Sequence, residues 1–304
     1  MTSVTNARRS KVLVKSTFKG YDLCINPYVG CQFGCKYCYV RFFIKDKEHP
    51  WGEFVRQRMY IEDKLPKELP NAAGKRIVFG TMTDPYQPAE RKARLTRKTM
   101  EILRDAEDPP NKVGLFTRSP IVLEDAELIA ALPRARVHFS ITPFDRRTMK
   151  RIEGIPVQTR RRWEVIRQLK EAGIRTHVNV APAIPVLSDG FIDECCEELV
   201  RCRVDEFFVD PMQTYAQAFE ALTEAMEGHP DWPEIHDTMT DKARFQEWKD
   251  RFRDKWFAAW KKVGTDQTLA VWCDHIKKVR TDMRTGEDLA SRLAPRYRRA
   301  EVTR

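Results

Sequence analysis

Six short runs rich in β-branched and aromatic residues punctuate the first two thirds of the chain, at 21–30, 75–81, 112–119, 135–142, 174–182 and 204–212. Between them lie stretches whose apolar residues recur at helical spacing. In 94–108, Leu95, Thr99, Ile102, Leu103 and Ala106 fall on one face. Further helices are predicted over 123–133, 160–173 and 188–202. Gly173 stands where a left-handed residue closes a helix, and Ser188 and Asp189 stand where side chains cap a helix start. Repeated strand–helix alternation predicts a parallel sheet joined by right-handed crossovers. An open sheet and a barrel both satisfy this periodicity, and both place their functional loops at the carboxyl ends of the strands.

Past residue 212 the pattern changes. Strand signals vanish, and Trp248, Phe252, Trp256 and Trp260 recur every four residues. That stripe reads as a core-facing helix face, with a base-stacking surface as the alternative. The expected organisation is an N-terminal arm (1–20), an α/β core (21–212) and a helical C-terminal extension (213–304), whose tail from Arg292 is basic. No apolar run approaches the roughly 18 residues that cross a bilayer. Basic residues near the N-terminus are followed by no apolar signal segment. A cytoplasmic protein with no membrane partner is expected. Hydrophobic residues make up 42%, enough for a sizeable core, and the net charge of +10 favours an anionic partner. Arg91, Lys92, Arg94, Arg97 and Lys98 and the clusters 160–162 and 296–299 could form such a surface, or be a solvated face.

The candidate chemistry lies in residues 30–43, GCQFGCKYCYVRFF. Eight cysteines without a secretory signal point away from disulfides. The clustering of Cys31, Cys35 and Cys38 in C-x3-C-x2-C spacing points to a soft metal centre, zinc or iron–sulfur. Structural zinc takes a fourth ligand. Cys24 is nearest, but it alternates with Asn26 and Tyr28 along a predicted strand and reads as a core thiol. His49, eleven residues beyond Cys38, is at an unfamiliar spacing. A four-iron cubane on three cysteines leaves one iron open to a substrate or cofactor. Cys195, Cys196 and Cys202 share one predicted helix, and with Cys273 they could form a second cluster or be buried core thiols.

C-x3-C-x2-C with Tyr37 just before the last cysteine, following a first strand, resembles the signature loop of the radical S-adenosylmethionine superfamily. Its spore photoproduct lyase-like branch is similar over INPYVGCQFGCKYCYVR (25–41), GTMTDPYQPAE (80–90), FTRSPIVLEDAELI (116–129), the segment 141–174 and APAIPVLSD (181–189). The resemblance spans roughly residues 10–212. It implies a partial (β/α)6 TIM-type barrel with a helical C-terminal extension. It implies that Cys31, Cys35 and Cys38 hold a 4Fe-4S cluster whose fourth iron is chelated by S-adenosyl-L-methionine. One electron from a flavodoxin- or ferredoxin-type reductant would then cleave that cofactor to a 5′-deoxyadenosyl radical, which abstracts hydrogen from a substrate.

By the same resemblance, Tyr37 joins the cofactor-binding set, and Thr81, Thr83 and Asp84 face the methionine amino group. Ser140, Thr142 and Asn179 would bond the ribose or carboxylate, and Arg161 would pair with the carboxylate or with Glu153. Tyr39 would relay a hydrogen atom or pack against the cluster, and Cys273 would be a substitute hydrogen donor. Three departures stand out. Arg118 replaces a lysine, and Gly154 replaces the proline after Glu153. Thr81-Met82-Thr83 occupies the loop where the photoproduct lyases carry a donor cysteine. Charge and resemblance together suggest a nucleic acid or nucleotide substrate. Modification of a peptide or small molecule is the enzymatic rival. A zinc-stabilised, non-catalytic nucleic-acid-binding protein is the rival from another class.

Overall fold

A computed structural model of the chain describes residues 2–8, 10–44, 46, 48–212, 214–264, 270–272 and 280–282. Its strands are β1 (Ser3–Asn6), β2 (Val14–Lys15), β3 (Leu23–Ile25), β4 (Tyr28–Val29), β5 (Phe54–Gln57) and β6 (Arg76–Phe79). There follow β7 (Lys112–Thr117), β8 (Arg136–Ile141), β9 (Arg175–Ala183), β10 (Glu206–Pro211), β11 (Ala270–Trp272) and β12 (Arg280–Asp282). The main sheet runs β10-β9-β8-β7-β6-β3-β2. Every neighbouring pair from β3 to β10 is parallel, and only β2 is antiparallel. Strands that follow one another in the chain are neighbours in space, so the sheet winds one way. A doubly wound sheet reverses its order at a switch point; a β/α barrel does not. No strand pairing joins β10 to β3 among the described residues, so the barrel is partial.

Side-chain alternation sorts the sheet into two faces. Ile25, Ile77, Phe79, Leu115, Val137, Phe139, Val178, Val180, Phe207 and Val209 are no more than 1% exposed and face the helices. The other face, lining the lumen, carries Cys24, Val78, Gly114, Phe116, His138, His177 and Asn179.

The first predicted strand is broken. β3 ends at Ile25, and Tyr28–Val29 join a separate sheet of order β1-β5-β4. Pro27, with no N–H, cannot continue the ladder.

The helices of the core are α1 (Val40–Phe43), α2 (Ile61–Glu68), α3 (Glu90–Ala93), α4 (Leu95–Arg104), α5 (Ala126–Ala130), α6 (Arg146–Ile152), α7 (Thr159–Glu171) and α8 (Ile192–Arg201). The stretch 123–133 falls partly in a 3-10 turn, Pro120–Asp125, before α5 begins. Gly173 takes the left-handed conformation, φ +75°. Ser188 and Asp189 do not cap α8. Ser188 Oγ accepts from the Ile184 N–H at 2.9 Å, and Asp189 accepts from the Trp248 indole at 3.0 Å.

Beyond the sheet lie α9 (Ala216–Met226), α10 (Trp232–Thr240) and α11 (Lys242–Val263). Trp248, Phe252, Trp256 and Trp260 are each at most 4% exposed and pack into the core, which excludes the base-stacking alternative. Cys195, Cys196 and Cys202 are buried in the same core. The antiparallel pair β11–β12 is a departure from the all-helical expectation. Cys273, the cluster 296–299 and the tail from 292 lie outside the described residues. Among the described residues, no helix is long and apolar enough to cross a membrane.

Candidate active site

The three thiols sit together at the carboxyl end of the sheet, immediately after β3 and β4. Cys31 and Cys35 are buried and Cys38 is half-buried. Two close approaches fix the loop. Gly30 has φ +86°, and a Cβ there would lie 2.5 Å from the Phe54 carbonyl oxygen on β5. Gly34 (φ +55°) passes so near Gly52 that a Cβ would lie 3.2 Å from its Cα. Two backbone bonds then tie the loop to the end of α6: Lys36 N–H to Ile152 O at 2.8 Å, and Gly154 N–H to Phe33 O at 2.9 Å.

Burial pushes all three thiols up, Cys38 to about 12, with Cys35 adding to it. Thiolates persist in such a place when a metal centre compensates them. Among the described residues, Asp46, Glu48 and His49 bring their ligand atoms within 4.8 Å of one another. Structural zinc takes four protein ligands. Three thiols suit a cluster in which each thiolate takes its own iron and one iron stays open.

The motifs 25–41 and 80–90 interlock. Asn26 donates to Thr81 Oγ1 at 3.2 Å and accepts from the Met82 N–H at 2.8 Å. Gln87 accepts from the Gln32 N–H at 2.8 Å and donates to Thr83 Oγ1 at 3.0 Å, while Gln32 accepts from the Ala89 N–H at 2.6 Å. Thr83 donates to Gly30 O at 2.6 Å. Asp84 accepts from Thr117 Oγ1 at 2.7 Å and from the Arg118 N–H at 3.0 Å, pinning the loop to β7. Tyr28 donates to Glu90, which also accepts the Thr96 and Arg97 N–H groups that open α4.

Behind the thiols lies a buried ion network. Glu153, fully buried, accepts from Tyr37 Oη at 2.6 Å, Arg118 Nη1 at 2.7 Å and Thr142 Oγ1 at 2.8 Å on one oxygen. Its other oxygen takes Arg162 Nη2 at 2.6 Å. Arg118 also donates to Tyr37 Oη at 2.6 Å. Burial favours the neutral acid, but Arg118, Arg162 and the Tyr37 hydroxyl together hold the Glu153 carboxyl down to about 2. Two guanidinium groups on one carboxylate leave one positive charge beside the cysteine loop. Burial pushes the Tyr37 phenol well up, against the opposing pull of Arg118.

The radical S-adenosylmethionine superfamily model matches residues 25–201, the span from the first strand's end through α8. The chain belongs to the radical S-adenosylmethionine superfamily. An uncharacterised protein of Methanocaldococcus jannaschii is 29% identical over 188 residues, covering 61% of this chain and 70% of that protein. One from Mycobacterium tuberculosis is 28% identical over 174 residues, 54% of this chain and 50% of that one, so the chain spans about half its length. Spore photoproduct lyase, solved with a dinucleoside spore photoproduct, superposes with a TM-score of 0.57 at 16% identity, over 81% of this chain and 78% of that one. It shares the partial-barrel fold. Membership makes the chain an enzyme and implies S-adenosylmethionine and an iron–sulfur cluster as its cofactors.

In this radical S-adenosylmethionine site, several expected cofactor contacts are occupied by the scaffold. Thr83, Asp84 and Thr142 are spent on the bonds above. Thr142 is fully buried and also accepts from Arg162 at 2.5 Å. Arg161 needs correction. It is exposed and pairs with Glu164 at 3.0 Å, whereas its neighbour Arg162 holds Glu153. Arg162 falls in step with Ile166 and Leu169 on the apolar face of α7, a signal the run of three arginines concealed.

Ser140 and Asn179 are cross-strand neighbours on the lumen face. Asn179 is 3% exposed, and its Oδ1 has no hydrogen-bond partner. Tyr39 is 43% exposed and donates to Thr81 O, so it lines the mouth of the barrel rather than the interior.

Proposed function

We propose that Cys31, Cys35 and Cys38 hold a 4Fe-4S cluster at the mouth of the barrel, and that the enzyme acts on a nucleotide or nucleic acid. The observation that carries the reading is three half-buried or buried thiols in C-x3-C-x2-C spacing, on a loop bolted to the sheet's carboxyl end in a chain of the radical S-adenosylmethionine superfamily. With S-adenosylmethionine bound and one electron from an external reductant, such a cluster would supply a 5′-deoxyadenosyl radical, with methionine released. The chain's own groups hold the geometry. Glu153 and Arg118 fix Tyr37 and with it the turn between Cys35 and Cys38. Asn26, Gln32 and Gln87 lock the loop after β6 against the cysteine loop. Ser140 and Asn179 are the polar groups left to meet the ribose or carboxylate, and Tyr39 closes the mouth. The net charge of +10 and the fold shared with a lyase solved with a dinucleoside support the substrate class.

Anaerobically purified protein is expected to be brown, to carry iron and sulfide near about four per chain, and to yield 5′-deoxyadenosine with a chemical reductant. Colourless protein with one zinc and no cleavage would sink this reading. Oligonucleotide affinity should fall steeply with salt, and a flat salt response would remove phosphate recognition from the proposal.

A further inference from the structure

Below the cysteine loop, the lumen face carries a cationic floor that the radical chemistry does not use. Lys112, Gly114 and Phe116 alternate onto it from β7, and Arg136 and His138 from β8. Arg175 and His177 join from β9, and Glu206 from β10. The parallel register sets Gly114, Arg136 and Arg175 in one row, and Phe116, His138, His177 and Glu206 in the next. The rings of the second row stand side by side, with centroids 4.4 Å apart for Phe116–His138 and 4.8 Å for His138–His177. Tyr21 lies over Gly114, where a Cβ would fall 2.1 Å from its hydroxyl, and meets His138 Nε2 at 2.6 Å. Lys112 Nζ sits 4.6 Å from the Tyr21 ring centroid.

Charge does not balance here. Arg136 and Arg175 share one carboxylate, Glu206, at 2.6 and 3.8 Å. Arg76, at the edge of the same floor, is met by Asp22 at 2.7 Å. No carboxylate lies within ion-pair distance of Lys112 among the described residues. Burial and the neighbouring Arg136 hold its ammonium down to about 8. Three cations against Glu206 leave an excess of two positive charges. His177 Nδ1 also faces Glu206, at 3.5 Å, while Nδ1 of His138 is buried without a hydrogen bond. A buried polar group of this kind is normally satisfied, by protein, water or a ligand.

We propose that this floor binds a phosphate monoester through Lys112, Arg136 and Arg175. A dianion matches the excess of two charges, whereas a carboxylate would neutralise half of it. The anion site rests on the charge count. That its occupant is a nucleotide rests on the function proposed above.

The test is calorimetric titration of the full chain, reconstituted anaerobically, with thymidine, thymidine 5′-monophosphate, inorganic phosphate and acetate. Thymidine 5′-monophosphate is expected to bind at least tenfold more tightly than thymidine, with inorganic phosphate competing and acetate not. Lys112→Met and Arg175→Gln should each remove most of that tenfold ratio while thymidine affinity stays within about twofold; near-UV dichroism checks the fold. Arg175 is 58% exposed, so its replacement is structurally mild. Equal affinities for nucleoside and nucleotide overturn the proposal, as does a phosphate preference that survives in both variants. Acetate competing as well as phosphate overturns the assignment to phosphate. Reductive cleavage of S-adenosylmethionine by the unaltered protein is measured separately. Its absence would remove the radical reading and leave the phosphate site standing.

Discussion

Glu153 is where a single side chain decides most. It neutralises one of two buried guanidinium groups and anchors Tyr37, so Glu153→Gln leaves charge buried without its counter-ion. The expected loss is about 3–5 kcal/mol near neutral pH, read from urea unfolding. Its carboxyl is depressed from 4.5 to about 2 on folding. The stabilisation is therefore complete above pH 4.5 and lost as pH falls toward 2, where the unaltered protein and Glu153→Gln should converge. A gap that stays constant between pH 5 and 2.5 would contradict this. Gly154 shows why one departure from the related sequences is coherent: its N–H bonds Phe33 O, and proline has none to give. Gly154→Pro should cost about 1–3 kcal/mol and speed the loss of iron from the cysteine loop, followed by absorbance under chelator. Charge type was legible in the sequence at Glu153, but the partner was not. Arg160, Arg161 and Arg162 are chemically identical, and only the rotation of α7 buries the third.

At the scale of elements, the motif 80–90 is a set of struts. Glu90 receives the first N–H groups of α4 and the Tyr28 hydroxyl, so it couples a helix start to the segment before the cysteines. Removing it by Glu90→Ala uncaps α4 and strands a buried phenol, at an expected cost of about 2–3 kcal/mol. Hydrogen exchange should accelerate at the Thr96 and Arg97 amides more than in α7; uniform acceleration would argue against a local cap. The C-terminal stripe is tested by Trp256→Ala, expected to lose about 3–5 kcal/mol because the ring is 1% exposed against Phe207. The strands and most helices were readable because a half-buried strand repeats every two residues and a helix every 3.6. The break at Pro27, the 3-10 turn before α5 and the β11–β12 pair were not. Pro27 and Pro120 each act at a single position, and strands of three residues are too short for a period to show.

For the whole molecule, the thiols belong to a smaller buried cluster of loops and α9–α10, while the sheet and its helices form the main core. Replacing Cys31, Cys35 and Cys38 with alanine should abolish iron binding yet leave far-UV dichroism unchanged and the thermal transition within a few degrees. Global unfolding of that variant would make the metal a structural staple instead. By itself the sequence determined the β/α alternation, the helices that follow residue 212, the thiol spacing and the family resemblance, because each is a local repeat or a contiguous motif. It left barrel and open sheet undivided, and tertiary structure decided between them, since strand order depends on which distant segments hydrogen-bond. Tertiary structure also decided which polar groups are spent and which remain. Thr83, Asp84 and Thr142 are consumed by bonds across 33 to 53 residues or by burial among them, and Asn179 Oδ1 is left without a partner on the lumen face. A hydroxyl or a carboxylate reads the same in a sequence whether it holds the scaffold or meets a substrate, because only its neighbours in space settle where its hydrogen bonds go.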